Sequence, residues 1–211
     1  NETIEGLRFA KPVQSSGAIV ADLSSCILSE VINMQDYDFI YAGAQKNIGP
    51  AGLTLSIVRR SLFDKMSFNG LPKVFNYASQ DKQGSMLNTP PTYAWYLAAL
   101  VFEWLLEQGG VEQMEKLAIA KSNLLYQTID SDDFYTNPVA KSDRSRMNIP
   151  FILADKSLDT QFLADAKAAN LVGLEGHRSV GGMRASLYNA MPLRGVETLC
   201  DFMLDFKRRH G

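Results

Sequence analysis

The stretch from Phe39 to Arg59 constrains this chain more than any other part of it. An apolar run, Phe39 to Ala42, enters a turn in which Lys46 is bracketed by Gly43, Gly49, Pro50 and Gly52. A second run, Leu53 to Val58, then alternates apolar and polar side chains. This pattern predicts strand, glycine-rich turn, strand. The glycines let backbone approach another group closely, and they hold one lysine at a strand end, where α/β sheets place their ligands. A lysine in such a position can be desolvated, have its pKa lowered and act as an amine nucleophile toward an aldehyde. For an isolated lysine the competing reading is a solvated loop cation.

Bulk properties narrow the class. With 211 residues the chain has room for one large or two small domains and a buried core. A hydrophobic fraction of 46% and a charged fraction of 21% are those of an ordinary soluble globular protein. The net charge of −2 gives no electrostatic reason to expect nucleic acid or an anionic membrane as a partner. Cys26 and Cys200 are far apart and in no metal-ligand spacing, so neither a disulfide framework nor a metal site is expected, and a reducing, cytoplasmic setting suits them. No secretory signal is expected at the start, and the most apolar run, Tyr93 to Phe102, is too short to span a bilayer.

Asn1 to Ser16 reads as irregular, with Pro12 and Ser15-Ser16-Gly17 marking loop. Ala18 to Asp22 reads as a central strand of a parallel sheet, covered on both faces, with Asp22 at its carboxyl end. By itself Asp22 is a turn acid or cap, as most aspartates at strand ends are. Cys26 reads as a small buried residue rather than a reactive thiol. Residues 61–84 have poor periodicity and read as a long irregular segment lining a site or an interface. Pro90-Pro91 sets an extended entry, with Thr92 as N-cap of an all-round apolar and therefore buried helix, Tyr93 to Gln108. Gly109-Gly110 ends it, and Val111 to Ile129 follows as an amphipathic helix with Val111, Met114, Leu117, Ala118, Leu125 and Ile129 on one face. A domain boundary falls near the start of that helix, dividing the chain into residues 1–112 and 113–211. The second unit reads as a small α/β domain: strands at Met147 to Leu153 and Met183 to Leu187, a strand or strand-like connector at Leu171 to Leu174, and helices at Leu158 to Asn170 and Val196 to Arg209. Lys207, Arg208 and Arg209 end the last helix, where cations suit the helix dipole.

A second informative stretch, Glu175 to Ser186, places His177, Arg178 and Arg184 around glycines before a strand. Arginine offers a planar fork for carboxylate or phosphate, and histidine adds a pH-dependent donor. A random pair of such residues would form surface ion pairs. Three of them around glycines, downstream of a glycine-flanked lysine, favour recognition of an anionic substrate.

Four segments together carry a family likeness: Ala21-Asp-Leu-Ser-Ser25, Ala42-Gly-Ala-Gln-Lys-Asn-Ile-Gly-Pro-Ala-Gly52, Asn88-Thr-Pro-Pro-Thr92, and Glu175 through Pro192. They resemble the phosphoserine aminotransferase branch of the class V pyridoxal-phosphate (PLP) enzymes, and the resemblance runs the length of the chain. It implies a type I aminotransferase fold, α/β throughout: part of a large, mostly parallel domain, then a small carboxyl-terminal α/β domain. It implies PLP as cofactor and amino transfer between phosphoserine and 2-oxoglutarate, giving 3-phosphohydroxypyruvate and glutamate in serine biosynthesis. A related phosphorylated hydroxythreonine, on the route to vitamin B6 (pyridoxine), is a further implied substrate. By resemblance, Lys46 carries the cofactor and serves as general base, and Asp22 keeps the ring nitrogen protonated. Gln45 helps hold the phosphate, and Asn88 and Thr89 reach the phosphate of a neighbouring subunit in a homodimer. Arg184 takes the substrate α-carboxylate, with His177 and Arg178 on the phosphate or distal carboxylate.

The chain departs from the family pattern by starting in its middle. The expected phosphate-binding turn, the aromatic that stacks on the cofactor and further substrate arginines have no counterpart here. Two rivals stand beside the main reading. A cysteine desulfurase would need a cysteine on a mobile loop, which neither Cys26 nor Cys200 resembles. A chain that contributes only a dimer surface would fold without binding PLP.

Overall fold

The computed structural model describes residues 1–63 and 70–211. Its first sheet has three strands, β1 (Val20–Asp22), β2 (Phe39–Gly43) and β3 (Thr54–Val58), in the order β1-β2-β3. β1 runs parallel to β2, with Asp22 opposite Tyr41, and β3 returns antiparallel, with Thr54 opposite Gly43. Strand, turn and strand are thus formed as the sequence predicts. Ile40 and Ala42 of β2 point into a core with Leu23, Cys26, Ile27, Ala44 and Ile48. Burying a side chain such as Ile40 contributes about 1.5–3 kcal/mol. Phe39 and Tyr41 face the other way, and Phe39 packs edge-on against Tyr77 at 5.0 Å.

β1 differs from its expectation as a covered central strand. Among the described residues it pairs with β2 alone, Val20 is 58% exposed, and Asp22 is exposed. Its apolar run is real, but one strand neighbours it among those residues. The sheet is also mixed rather than mostly parallel, with one parallel and one antiparallel pair.

Within the segment read as irregular, residues 64–69 lie outside the described residues. Beyond them a short helix, α1 (Tyr77–Lys82), forms where Asn76 accepts a hydrogen bond from the Ser79 N–H. Helix α2 (Thr92–Glu107) starts one residue earlier than expected: Thr92 is its first helical residue, and Pro91 occupies the cap position without a side-chain bond. Its burial also differs. Only Ala94, Ala98 and Leu105 are buried, whereas Tyr93, Tyr96 and Leu106 are largely exposed. Uniform apolarity signals burial of the whole circumference, and this chain by itself covers one narrow side.

Helix α3 (Gly110–Ile129) joins two cores. Ala118 packs in the first, and Leu125 and Ile129 pack in the second. The second core lies under an antiparallel sheet of β4 (Tyr135–Thr136), β5 (Asn148–Leu153) and β6 (Met183–Ser186), in the order β4-β5-β6. β4, two residues long, is too short to leave a periodic signal. Leu171 to Leu174 forms the connector rather than the strand of the two readings, and its neighbour Glu175 makes a single bridge to Met183. Helices α4 (Asp159–Ala168) and α5 (Leu193–His210) cover the sheet as predicted. Phe162 of α4 sits at the centre of edge-to-face contacts with Tyr135, Phe151 and Phe206. Val196, Leu199, Cys200, Met203 and Phe206 form the buried stripe of α5. No helix among the described residues is long and apolar enough to cross a membrane.

Candidate active site

The lysine turn begins where β2 ends. Ala44 donates its N–H to the Leu53 carbonyl, and its own carbonyl accepts from Ile48 (3.2 Å) and Gly49 (2.7 Å). Gly43 donates its N–H to Ser24 Oγ at 3.0 Å, which ties the lysine turn to the segment after β1. Lys46 leaves this turn half-buried, and its Nζ donates to Thr3 Oγ1 at 2.7 Å. Burial lowers the pKa of the amine; the Asp22 carboxylate opposes that shift and the Arg184 guanidinium adds to it. The lysine is thereby biased toward the free amine that carbonyl chemistry needs.

Arg184 comes from β6, opposite Pro150 of β5. Its Nη1 donates to the Thr3 carbonyl at 3.3 Å, while its Nε is buried and has no partner among the described residues. A buried guanidinium N–H without an acceptor is costly unless an anion completes it. Thr3 therefore sits between the two central residues, touching Lys46 by its hydroxyl and Arg184 by its carbonyl. Asn1 anchors this strap. Its Nδ2 donates to Ser25 Oγ (2.7 Å) and to Asn148 Oδ1 (3.0 Å), and its Oδ1 accepts from Ser145 Oγ (2.5 Å). Sequence reasoning missed this role, because residues 1–17 have neither periodicity nor a charge pattern.

Asp22 lies at the edge of the site. Its Oδ1 accepts the Ser24 N–H at 2.8 Å, the local turn that its strand-end position suggests. Its charge acts on the site as well, since it raises the pKa of Tyr41 and supports the Lys46 ammonium. Gln45 is exposed, and its side chain folds over Gly43: a Cβ there would lie 2.6 Å from Gln45 Oε1.

His177 and Arg178 ride on a closed loop. Gly176 donates to the Gly182 carbonyl (2.9 Å), and Val180 and Gly181 donate to that of His177. His177 Nδ1 lies 2.6 Å from Ser179 Oγ, and Arg178 is exposed. The loop feeds into β6 and so into Arg184, but neither side chain touches Lys46. Asn88 and Thr89 are exposed; Asn88 Nδ2 donates to the Thr89 carbonyl at 3.0 Å, and no contact joins them to Lys46 among the described residues. The fold thus gathers Lys46, Arg184 and Asp22, places Gln45 beside them, and leaves the other four candidates separate.

Both cysteines are buried, and burial pushes both thiols up in pKa. Neither is poised as a nucleophile.

Comparison with known proteins identifies the family of the chain. The aminotransferase class-V family matches residues 7–199. A phosphoserine aminotransferase from Acinetobacter baumannii is 56% identical over 211 residues, covering all of this chain and 58% of its own length. The chain therefore spans little more than half the length of that curated relative. Phosphoserine aminotransferase from Bacillus circulans subsp. alkalophilus superposes with a TM-score of 0.95 at 42% identity, covering 100% of this chain and 59% of that one. A PLP-bound phosphoserine aminotransferase from Trichomonas vaginalis superposes at 0.91 with 36% identity, covering 97% and 58%.

Proposed function

The chain belongs to the class V aminotransferases, and we propose that it carries the lysine-bearing part of a phosphoserine aminotransferase. The reaction in this reading moves an amino group between phosphoserine and 2-oxoglutarate, giving 3-phosphohydroxypyruvate and glutamate in serine biosynthesis. The observation that carries it is the pairing, across Thr3, of an amine of lowered pKa (Lys46) with an arginine whose buried Nε has no partner among the described residues (Arg184). One group is suited to an aldehyde and the other to a carboxylate.

These residues fit PLP and its substrates. When bound, PLP supplies an aldehyde that condenses with amines and a ring that accepts electrons as the substrate α-proton leaves. Lys46 would hold the cofactor and, once displaced by the incoming amine, take and return that proton at its Nζ, a task its lowered pKa suits. Asp22 would keep a proton on the ring nitrogen. Gln45 would help hold the phosphate, together with Asn88 and Thr89 of a neighbouring copy. Arg184 would orient the substrate α-carboxylate, with His177 and Arg178 meeting the second anion at the mouth of the site.

The same reading takes in a homodimer, supported by the exposed apolar side of α2 and by the separation of Asn88 and Thr89 from Lys46. It takes in a cytoplasmic setting, a second substrate in pyridoxine biosynthesis, and a domain division at residues 112/113, supported by a second buried cluster drawn wholly from Leu125 onward. A desulfurase reading has no support from the buried Cys26 and Cys200.

The deciding experiment treats the purified chain with PLP, reduces it with borohydride and maps the labelled peptide by mass spectrometry. Label on Lys46 is expected. A folded sample labelled elsewhere, or not at all, would overturn the assignment and favour a chain that contributes only a surface.

A further inference from the structure

A buried ammonium lies behind the loop that follows β6. Lys121 of α3 is 2% exposed, and its Nζ donates to three main-chain oxygens: Leu187 (3.1 Å), Tyr188 (2.8 Å) and Met191 (2.9 Å). Three N–H donors meet three carbonyls, so the charge is fully satisfied without a carboxylate. Nothing in the proposed chemistry uses this lysine directly.

The same loop is tied down from the opposite side. Asn189 donates its N–H to Asn47 Oδ1 at 2.9 Å and its Nδ2 to the Leu28 carbonyl at 2.9 Å. Asn47 in turn donates its Nδ2 to the Ile27 carbonyl at 3.0 Å. Asn47 directly follows Lys46, and Leu187 lies shortly after Arg184 on the same strand path. The Tyr188 hydroxyl accepts from Asn148, and Asn148 holds Asn1, which anchors the Thr3 strap. Residues 187–191 are therefore the common support of both central side chains.

We propose that Lys121 is a positioning residue: by gathering the carbonyls of Leu187, Tyr188 and Met191, its ammonium seats Asn189 against Asn47 and so fixes Lys46 relative to Arg184. The consequence for catalysis rests on the amino-transfer reading; the clasp itself does not.

A methionine in place of Lys121 would fill the volume but leave three carbonyls without donors. Loss of the proton has a milder form of the same effect, because a neutral amine has two N–H groups for three oxygens. Burial lowers the Lys121 pKa to about 8, and no charged side chain of α2, α5 or the loop contributes to that shift among the described residues. The titratable group nearest it in the loop, the Tyr188 phenol, is pushed up by burial and stays neutral over the same range.

The test is a carbon-13 and nitrogen-15 NMR titration of the chain from about pH 6 to about pH 10, which spans the alkaline side-chain range. In the native chain the Leu187, Tyr188 and Met191 carbonyl shifts should move together with one midpoint near 8. The Asn189 amide and the Arg184 Nε should follow that midpoint. In Lys121→Met the three carbonyls should be flat, and the Asn189 and Arg184 signals displaced at every pH. Carbonyls that do not titrate together, or that titrate while Asn189 and Arg184 stay still, would sink the proposal; the native titration decides this even if Lys121→Met does not fold. PLP trapping on Lys46 is the second readout, with several-fold slower labelling expected in a folded Lys121→Met. Equal labelling of both would remove the positioning role. Absence of label in the native chain would instead defeat the amino-transfer reading, and the titration would still judge the clasp.

Discussion

At the scale of single residues, burial lowers the Lys46 pKa first, and the two strongest of its charged neighbours oppose each other. Arg184 pushes the amine toward its neutral form, and Asp22 pulls it toward the charged one. Removing either should therefore move the pH dependence of Lys46 modification in opposite directions. Arg184→Gln raises the lysine pKa, so the rate of labelling by PLP shifts to higher pH. Asp22→Asn lowers it, and the curve shifts to lower pH. The check is the labelling rate followed against pH for both variants, and shifts of the same sign would contradict the arrangement. The sequence pointed to all three residues by their type and place at strand ends or beside glycines. It could not point to Thr3, whose importance lies only in being seated between Lys46 and Arg184.

At the scale of elements, the loop that carries His177 and Arg178 is set by backbone rather than side chains. Gly182 has φ +61, and a Cβ on it would lie 2.7 Å from Ile152 Cγ2 and 2.9 Å from the Phe151 carbonyl. Gly181, at φ +77, faces open space. Gly182→Ala should thus cost more than Gly181→Ala, which bears only the left-handed penalty of about 1–2 kcal/mol. Thermal unfolding of the two variants checks the order. Phe162→Ala, at the centre of the aromatic cluster, should destabilise the β4-β5-β6 unit by about 3–5 kcal/mol, measured by denaturant unfolding. Helices α3 and α5 were legible because one face of each repeats at helical spacing. β4 and α1 were not, since two strand residues and six helical residues are too few for a period to show.

At the scale of the whole molecule, the largest departure from expectation is α2. Tyr93, Tyr96, Leu100 and Leu106 are 72%, 61%, 42% and 72% exposed, a large apolar surface for one helix. In the proposed homodimer this side is covered. Replacing Tyr96 and Leu106 together by glutamate should lower the apparent mass in sedimentation while leaving the helical content unchanged. An unaltered mass would place the partner elsewhere.

The sequence by itself determined the local structure that short-range forces control. Apolar alternation and glycine punctuation set strand, turn and strand around Lys46, helical spacing set α3 and α5, and a set of short segments carried the family likeness. Tertiary structure alone decided which side chains meet. Thr3 reaches Lys46 across forty-three positions and Arg184 across 181, and Lys121 reaches its carbonyls across sixty-six to seventy. Contacts of that kind leave no periodic trace, because a hydrogen bond needs only two groups within about 3 Å, wherever in the chain they lie. Exposure followed the same rule: an apolar helix states that it seeks cover, and only the packing of its neighbours decides how much it finds.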